Sequence, residues 1–357
     1  MPETSPHITD KKQPNRAFFF GLLGIALCVL FFINIVLGSV NIPLHAIAAI
    51  IFTGHSSHSA WSKIVTLIRL PRALTAVIAG GALAVGGLQM QTLFRNPLAG
   101  PSVLGITAGA SLGVAVVMLA AGSVTSIFAI QGLGGWGSWL VIIAASLGSG
   151  AVLLLILFIA ARIRNQVTLL IIGLMIGNIT IALVSIWQYF SAPSQIRSYL
   201  IWTFGSLGGV TSTQLWILLG VGVVGSILAF TLSKSLNGLL LGERYAQSMG
   251  IGVDRARIWI ILSTSLLAGA VTAFCGPIGF VGIAVPHLAR SLLHTNDHRR
   301  LIPGTLLTGA ALMLACDIIA QVPGSSTTLP ISAVTSLVGS PVVIWVIIKR
   351  QNLQGSF

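Results

Sequence analysis

Charged residues are scarce in this sequence. Asp, Glu, Lys and Arg together make up 7% of the 357 residues, and only six residues are acidic. An ordinary soluble domain carries about 25% charged residues. Hydrophobic residues account for 55% of the chain, and the mean hydropathy is +0.97. The shortage of charge therefore excludes an ordinary water-soluble protein and favours a chain that lies in a lipid bilayer.

Signals for metal, nucleotide and nucleic-acid binding are also missing. The three cysteines, Cys28, Cys275 and Cys316, lie inside apolar runs without metal-ligand spacing, so we interpret them as packing residues. No G-x-x-x-x-G-K-[ST] loop occurs, so the chain does not bind ATP through that motif. The net charge is +13, but the basic residues are dispersed between apolar runs. A dispersed charge indicates orientation in a membrane rather than a nucleic-acid partner.

Apolar runs of membrane-spanning length dominate the chain, and we count ten. They are Ala17 to Leu37, Ala73 to Phe94, Val103 to Ala121, Ser138 to Ala161, Thr168 to Phe190, Gln214 to Leu236, Ile258 to Cys275, Gly279 to Leu293, Ile302 to Ala320 and Leu329 to Ile348. The sequence predicts an all-α integral membrane protein of about ten helices. Its membrane domain covers residues 17–350, between tails at 1–16 and 351–357.

The break between the seventh and eighth runs follows from length. One helix from Ile258 to Leu293 would be roughly 54 Å long, against a hydrocarbon core of roughly 30 Å. Cys275-Gly276-Pro277 is therefore predicted to form a hairpin.

Lysine and arginine are distributed unequally between the two predicted sides of the membrane. Fifteen lie on the side that holds both termini, and four, at positions 63, 69, 72 and 197, lie on the other. Cytoplasmic loops carry an excess of Lys and Arg, so both termini are predicted to be cytoplasmic.

The segment Asn237 to Arg257 is the longest interior stretch without a membrane-length run, and it contains Glu243 and Asp254. We interpret it as a cytoplasmic loop gripped by a soluble partner. A short amphipathic helix is predicted from Glu243 to Met249, ended by the glycines that follow. Four predicted spans lie on each side of this segment and start from opposite faces of the membrane. Such an arrangement suggests an inverted-topology repeat, although no residue-level repeat accompanies it.

Few charged side chains stand in or beside the spans. Arg69 and Arg72, on the thinly charged side, could donate to a partner's carboxylates or could anchor the chain at the interface by snorkelling. Asp317 is the sole acid inside a predicted span, so we expect it near the outer end, paired, or facing water. A proton relay would require further such groups, and His287 is the only other candidate.

Six segments, in order from residue 69 to 350, together resemble the FecCD-type permease family of iron-siderophore and vitamin B12 importers. They are Arg69-Leu-Pro-Arg72, Arg95-Asn-Pro-Leu-Ala-Gly-Pro101, Leu241-Gly-Glu243 with Ala246 and Met249-Gly250, Gly276-Pro-Ile-Gly-Phe-Val-Gly282 with Pro286-His-Leu-Ala-Arg290, Asp297-His-Arg299, and Leu329-Pro330 through Gly339-Ser-Pro341. The resemblance covers about four fifths of the chain.

The resemblance implies the permease fold of a type II ABC importer and a transport subunit rather than an enzyme. It implies a homodimer or pseudo-dimer of permease subunits, two cytoplasmic ATPase subunits that carry the ATP and Mg, and an external substrate-binding protein. No cofactor is expected on this chain. The expected cargo is an iron chelate (ferric siderophore or haem) or cobalamin, moved by alternating access across the bacterial plasma membrane.

The resemblance also assigns residues. It assigns ATPase coupling to Leu241, Gly242, Glu243, Ala246, Met249 and Gly250, binding-protein docking to Arg69 and Arg72, and a cytoplasmic gate to Asn96, Leu98, Gln166 and Val167. The chain departs from the family at Gln321, where an arginine is frequent, at Thr328, where an acid is frequent, and at Val167, where a small polar residue is frequent. Two alternatives stay open, an ion-coupled secondary transporter and a membrane protein without a transport role.

Overall fold

The computed structural model describes residues 16–38, 40–53, 59–120, 135–163, 165–322 and 327–354, and these ranges fold as helices without a strand. The predicted tail as far as residue 15 and the last three residues of the other tail lie outside them. The helices are α1 Arg16–Val36, α2 Leu44–Thr53, α3 Ser59–Ile64, α4 Leu70–Leu93, α5 Ile106–Ala115, α6 Gly135–Arg162, α7 Gln166–Phe190, α8 Pro193–Thr203, α9 Ser212–Thr231, α10 Ser233–Leu241, α11 Glu243–Ser248, α12 Val253–Cys275, α13 Val281–Leu293, α14 His298–Ala320 and α15 Ile331–Gln354. Three short turns adjoin α3, α4 and α5. A π-helical turn, Val65–Arg69, connects α3 to α4, and a 3₁₀ turn, Pro101–Leu104, lies between α4 and α5. A second π-helical turn, Val116–Ala120, follows α5.

Each of the ten predicted spans overlaps at least one of these helices, so the all-α membrane fold is confirmed. The sixth span, predicted as one run to Leu236, covers α9 and the start of α10. Within the described ranges, seven helical segments are long and apolar enough to cross a membrane. Three shorter apolar helices, Ile106–Leu119, Val281–Leu293 and Ile331–Trp345, account for the other predicted spans. The predicted break is present, because α12 ends at Cys275 and α13 starts at Val281. The inverted repeat stays a prediction.

Helix α4 lies at the centre of the bundle and packs against α9, α12, α13 and α14. Most of its residues are buried, and many are alanine or glycine, which lets neighbouring backbones approach closely. Polar side chains inside the bundle pair with each other. Gln89 donates to the hydroxyl of Ser263 (3.1 Å) and accepts from Thr264 (3.1 Å), which satisfies groups that lipid cannot.

Glycine also sets the contact between α5 and α6. A Cβ atom added to Gly109 would lie 2.6 Å from the carbonyl oxygen of Gly148, and one added to Gly113 would meet the carbonyl of Ala144. Both glycines are therefore required by the close approach of the two helices. Gly105, the third glycine of the same sequence spacing, instead adopts a φ of +76° and starts α5.

Asp317 is paired, which was one of the three expected outcomes. Its carboxylate is 1% exposed and accepts from Arg72 through Nε (3.0 Å) and Nη2 (2.8 Å). It also accepts from Asn34 (2.9 Å) and Gln321 (2.9 Å). The carboxylate thereby joins α1, α4 and α14. We call the end of the bundle that holds this cluster the Asp317 end.

The predicted loop Asn237 to Arg257 is more helical than its polarity indicates. Asn237 lies inside α10, where its amide donates to Asp297 (2.7 Å) and its amide oxygen accepts from the backbone of His298 (2.8 Å). The hydrogen bond from Asn237 holds the pKa of the Asp297 carboxyl below its ordinary value. At the other side of the segment, α12 already begins at Val253. Asn237 and Glu243 therefore serve contacts between helices, whereas Asp254 is 66% exposed in the first turn of α12.

Candidate functional site

Helix α11 is a six-residue surface helix between two glycines. Gly242 before it has a φ of +112° and Gly250 after it a φ of +77°, conformations that side-chain-bearing residues rarely adopt. The backbone of Ile251 donates to the carbonyl of Ala246 (3.0 Å), which closes the helix end. The predicted amphipathic helix is present, one residue shorter than expected.

The side chains of α11 and its flanks divide into a buried and an exposed set. Ala246 is fully buried, whereas Leu241, Tyr245 and Met249 are 62%, 53% and 45% exposed. An exposed apolar cluster beside charged residues is typical of a surface that contacts another protein. We call Leu241, Tyr245 and Met249 the α11 apolar surface.

Glu243 connects this helix to the bundle. Its Oε1 atom accepts from Gln166 Nε2 (2.7 Å) and from Arg257 Nη2 (2.8 Å). Arg257 is 2% exposed, and its Nη1 also donates to the carbonyl oxygen of Ile163 (3.2 Å). Gln166 is a predicted gate residue and Glu243 a predicted coupling residue, so the structure brings these two assignments into direct contact.

A cavity of 800 Å³ lies beside this contact. It is lined by the predicted gate residues Gln166 and Val167 and by the predicted coupling residues Leu241, Gly242 and Glu243. Asn165 sets the start of α7 here, because its side chain accepts from the backbone of Val167 (2.8 Å) and Thr168 (3.2 Å). Gln166 and Val167, two of the predicted gate residues, thus lie at a capped helix start beside this cavity.

The other two predicted gate residues are in the turn after α4 and do not line this cavity. The side chain of Asn96 accepts from the backbone of Leu98 (2.9 Å), and Leu98 is 42% exposed. His287 donates through Nε2 to the carbonyl oxygen of Pro97 (2.8 Å), which holds the same turn against α13. His287 therefore has a positioning contact, and Arg95 lines both the 800 Å³ cavity and a second one of 590 Å³ next to His287.

A polar face on α7 was not predicted from the sequence. Asn178 and Ser185 are exposed, and with Gln188 and Tyr199 they line a cavity of 480 Å³ between α5 and α7. The lining residues, all within the described ranges, include no Asp, Glu, Lys, Arg or His. Exposed amides are costly in lipid, so this face is suited to water, cargo or another polypeptide. The available signal was the spacing of Asn178, Ser185 and Gln188 along one side of a helix.

Both predicted docking arginines have internal partners at the Asp317 end. Arg69 is 6% exposed and donates to the carbonyl oxygens of Ile35 (2.9 Å) and Val36 (2.9 Å) at the end of α1, and to that of Val40 beyond it. Arg72 is 18% exposed and forms the ion pair with Asp317. Gln321, at the position where the family frequently has arginine, donates to the same carboxylate. A docking role for these arginines stays a prediction.

Comparison with known proteins identifies the family of this chain. The FecCD transport family matches residues 26–349. The chain belongs to the FecCD family. It is 34% identical over 332 residues to the hemin transport system permease protein HmuU of Yersinia pestis, covering 93% of this chain and 96% of that protein. It is 38% identical over 283 residues to the vitamin B12 import system permease protein BtuC of Salmonella typhi, covering 79% and 82%.

The fold of this FecCD member also has a solved counterpart. A metal-chelate type ABC transporter in an inward-facing conformation superposes with a TM-score of 0.80 at 27% identity, covering 93% of this chain and 99% of that chain. The family and the apolar helices together make this chain a multi-pass membrane protein of the transport class.

Proposed function

We propose that this FecCD member is the membrane-spanning permease subunit of an ATP-driven importer that depends on an external binding protein. It works as a homodimer or pseudo-dimer, with ATP and Mg bound by two separate ATPase subunits. The contact that supports this proposal best is the one between Glu243 and Gln166. It connects the short exposed helix α11 to the first residue of α7, a helix with an uncharged polar face. Such a contact is expected where a separate ATPase moves the helices of a transport pathway.

The proposed ATPase docking site is the α11 apolar surface. It lies at the same end of the bundle as the start of α1, since the ring of Phe19 is 6.1 Å from that of His294, near the helix start held by Asn237. With the excess of basic residues on the side of the termini, this end is cytoplasmic. The Asp317 end then faces the external binding protein, where Arg69 and Arg72 are the proposed docking residues.

The proposed cargo is an iron chelate (ferric siderophore or haem) or cobalamin. The names of the hemin and vitamin B12 relatives support this class. The uncharged cavity between α5 and α7 is consistent with it, because hydroxyl and amide groups contact a bulky chelate without binding it tightly. Loose contact favours release, and a cytoplasmic gate at Asn96, Leu98, Gln166 and Val167 would alternate with an external opening.

Co-purification with the cognate ATPase tests the proposal. Met249→Glu places a charge on the α11 apolar surface and should lower ATPase recovery by about tenfold or more, as expected for a central interface residue. Gln247→Glu is the matched control, because it adds the same charge to the same helix at an exposed polar residue. Normal recovery with Met249→Glu would contradict the docking site. Uptake by the wild-type subunit in proteoliposomes without an ATPase would favour an ion-coupled transporter instead.

A further inference from the structure

Glu243 occupies a position where three elements of the bundle meet. Both Gln166 of α7 and Arg257 of α12 donate to the same oxygen, Oε1, at 2.7 and 2.8 Å. Arg257 in turn donates to the carbonyl of Ile163, just beyond the end of α6. The first residue of α11 therefore contacts α7 and α12 directly and α6 through Arg257.

The two donors differ in what surrounds them. Arg257 is 2% exposed and its Nε atom, which is buried, has no hydrogen-bond partner among the described residues. Asp254 is 66% exposed and 4.0 Å from Arg257, so it compensates the buried charge weakly. Glu243 is thus the principal counter-charge of a buried guanidinium, and this pair resists separation because breaking it would leave a buried charge uncompensated.

The contact with Gln166 is different because it is made at the start of a long helix. Gln166 is the first residue of α7, which runs for 25 residues and has Asn178 and Ser185 on its exposed polar face. A backbone-bonded helix moves largely as a unit, so a displacement at residue 166 reaches the polar face about 18 Å away. The contact is charge-assisted and short, which makes it strong enough to transmit such a displacement.

We propose that the Gln166–Glu243 hydrogen bond is the link that transmits movement of α11 to the pathway helix α7, while the Arg257–Glu243 ion pair keeps α11 registered on α6 and α12. Glu243 and Gln166 are positioning residues in this scheme. The inference rests on the proposed function, because it requires an ATPase that moves α11.

The decisive variant is Gln166→Leu in the assembled complex with its ATPase and binding protein, reconstituted in proteoliposomes. It removes the donor and retains the Arg257–Glu243 pair. We expect cargo uptake per ATP hydrolysed to fall by about tenfold, the effect of losing one charge-assisted hydrogen bond. ATPase recovery and ATP hydrolysis should stay within about twofold of wild type, since the α11 apolar surface is unchanged. Unchanged uptake per ATP would overturn the link.

A charge exchange separates transmission from a merely structural role. Gln166→Glu places two carboxylates in contact and should uncouple hydrolysis from uptake. Adding Glu243→Gln to the same chain restores an amide–carboxylate hydrogen bond in the reverse direction. The carboxylate at position 166 then lies beside Arg257, because residue 166 and Arg257 contact the same atom of residue 243. The guanidinium thus keeps a counter-charge, and the double variant should recover uptake per ATP. Recovery is the predicted result, and its absence in a folded complex would count against the link. Gln166→Asn, which keeps the amide but is one methylene too short, replaces Gln166→Leu if that variant is unstable.

Asp254→Asn is the matched control, because it removes the other acid near Arg257 without touching Gln166. It should leave uptake per ATP unchanged, and a loss equal to that of Gln166→Leu would assign the effect to the Arg257 environment instead. The wild-type complex distinguishes the two levels of the proposal. If it neither binds an ATPase nor transports, the proposed function is wrong. If it does both and Gln166→Leu is fully coupled, only the link is wrong.

Discussion

At the scale of single residues, charged groups at the Asp317 end have internal partners. Asp317 accepts from Arg72, Asn34 and Gln321, and Arg69 donates to two carbonyl oxygens at the end of α1 and one just beyond it. The last carbonyls of a helix have no partner within that helix, so Arg69 satisfies groups that would otherwise be unpaired. These clusters stabilise the Asp317 end from within.

Removing the acid of this cluster should destabilise the fold. Asp317→Ala leaves the partly buried Arg72, 18% exposed, without its counter-charge. We expect a cost of about 2–4 kcal/mol, below the upper values for a fully buried pair. The loss in free energy of unfolding is measured in detergent by thermal or denaturant titration. The double variant Arg72→Met with Asp317→Leu removes both charges and should recover most of the stability. A loss below about 1 kcal/mol for Asp317→Ala would show that the pair is solvated.

The internal partners of the arginines also change how the docking prediction is tested. Arg69→Glu and Arg72→Glu should each weaken binding of the external protein in a salt-dependent way if the side chains contact its carboxylates. Each also breaks internal hydrogen bonds, so affinity must be measured on folded subunit only. Arg72→Gln, which keeps a donor for Asp317 and loses the charge, gives the cleaner comparison. Affinity that is unaffected by both charge and salt would leave only the internal role.

At the scale of helices, glycine placement decides how closely elements pack. Gly148 and Gly150 both lie in α6, two residues apart. A Cβ atom on Gly148 would meet the backbone of Gly109 in α5, whereas one on Gly150 would have no neighbour within 4 Å. The same substitution therefore has opposite consequences at the two positions.

Gly148→Ala should destabilise the α5–α6 pair by about 1–3 kcal/mol, the usual cost of overpacking, because the obstacle is backbone and cannot rotate away. Gly150→Ala is the control and should be neutral or stabilise by about 0.5–1 kcal/mol through better helix propensity. Equilibrium unfolding of both variants in one detergent gives the comparison. Equal stabilities would mean that α5 and α6 are further apart than described.

The length of an apolar run decides whether its helix could be predicted from the sequence. The long apolar runs at α1, α4, α6 and α7 stand out because a bilayer requires about 20 apolar residues. Helices α2 and α8 have 10 and 11 residues and no such requirement, so their runs carry no comparable signal. Asn237 was wrongly predicted to lie in a loop, because a polar residue near Gly and Glu is typical of a loop. In the structure it lies in a helix, and its hydrogen-bond partner Asp297 is 60 residues away in sequence. Long-range partners are decided by packing and leave no local pattern.

The candidate site, like the fold, could be predicted only in part from the sequence. The glycine-flanked helix α11 follows from local sequence, and the gate and coupling residues followed from the family resemblance. Their direct contact through Glu243 and Gln166 spans 77 residues of sequence and required the structure. The face with Asn178, Ser185 and Gln188 was missed because uncharged polar residues scattered along a 25-residue helix do not interrupt an apolar run.

At the scale of the whole molecule, the uncharged face of α7 should be in contact with water. In a Cys28→Ser background, Asn178→Cys and Ser185→Cys should react with a membrane-impermeant thiol reagent, because the thiolate forms only where water reaches it. Ile179→Cys is the control, since Ile179 is 61% exposed but does not line the cavity between α5 and α7. Labelling of the assembled complex measures this, and equal reactivity at positions 178 and 179 would contradict a water-lined pathway.

The cluster around Asp317 also has a consequence for biogenesis. Arg72 and its acceptor are 245 residues apart, so the ribosome delivers the guanidinium to the bilayer roughly 10–50 s before the carboxylate exists, at about 5–20 residues per second. During that interval Arg72 has to rest at the lipid headgroups, which its place near the start of α4 permits. Insertion of α14 then brings α1 and α4 together, so the last third of the chain completes the assembly of the first third.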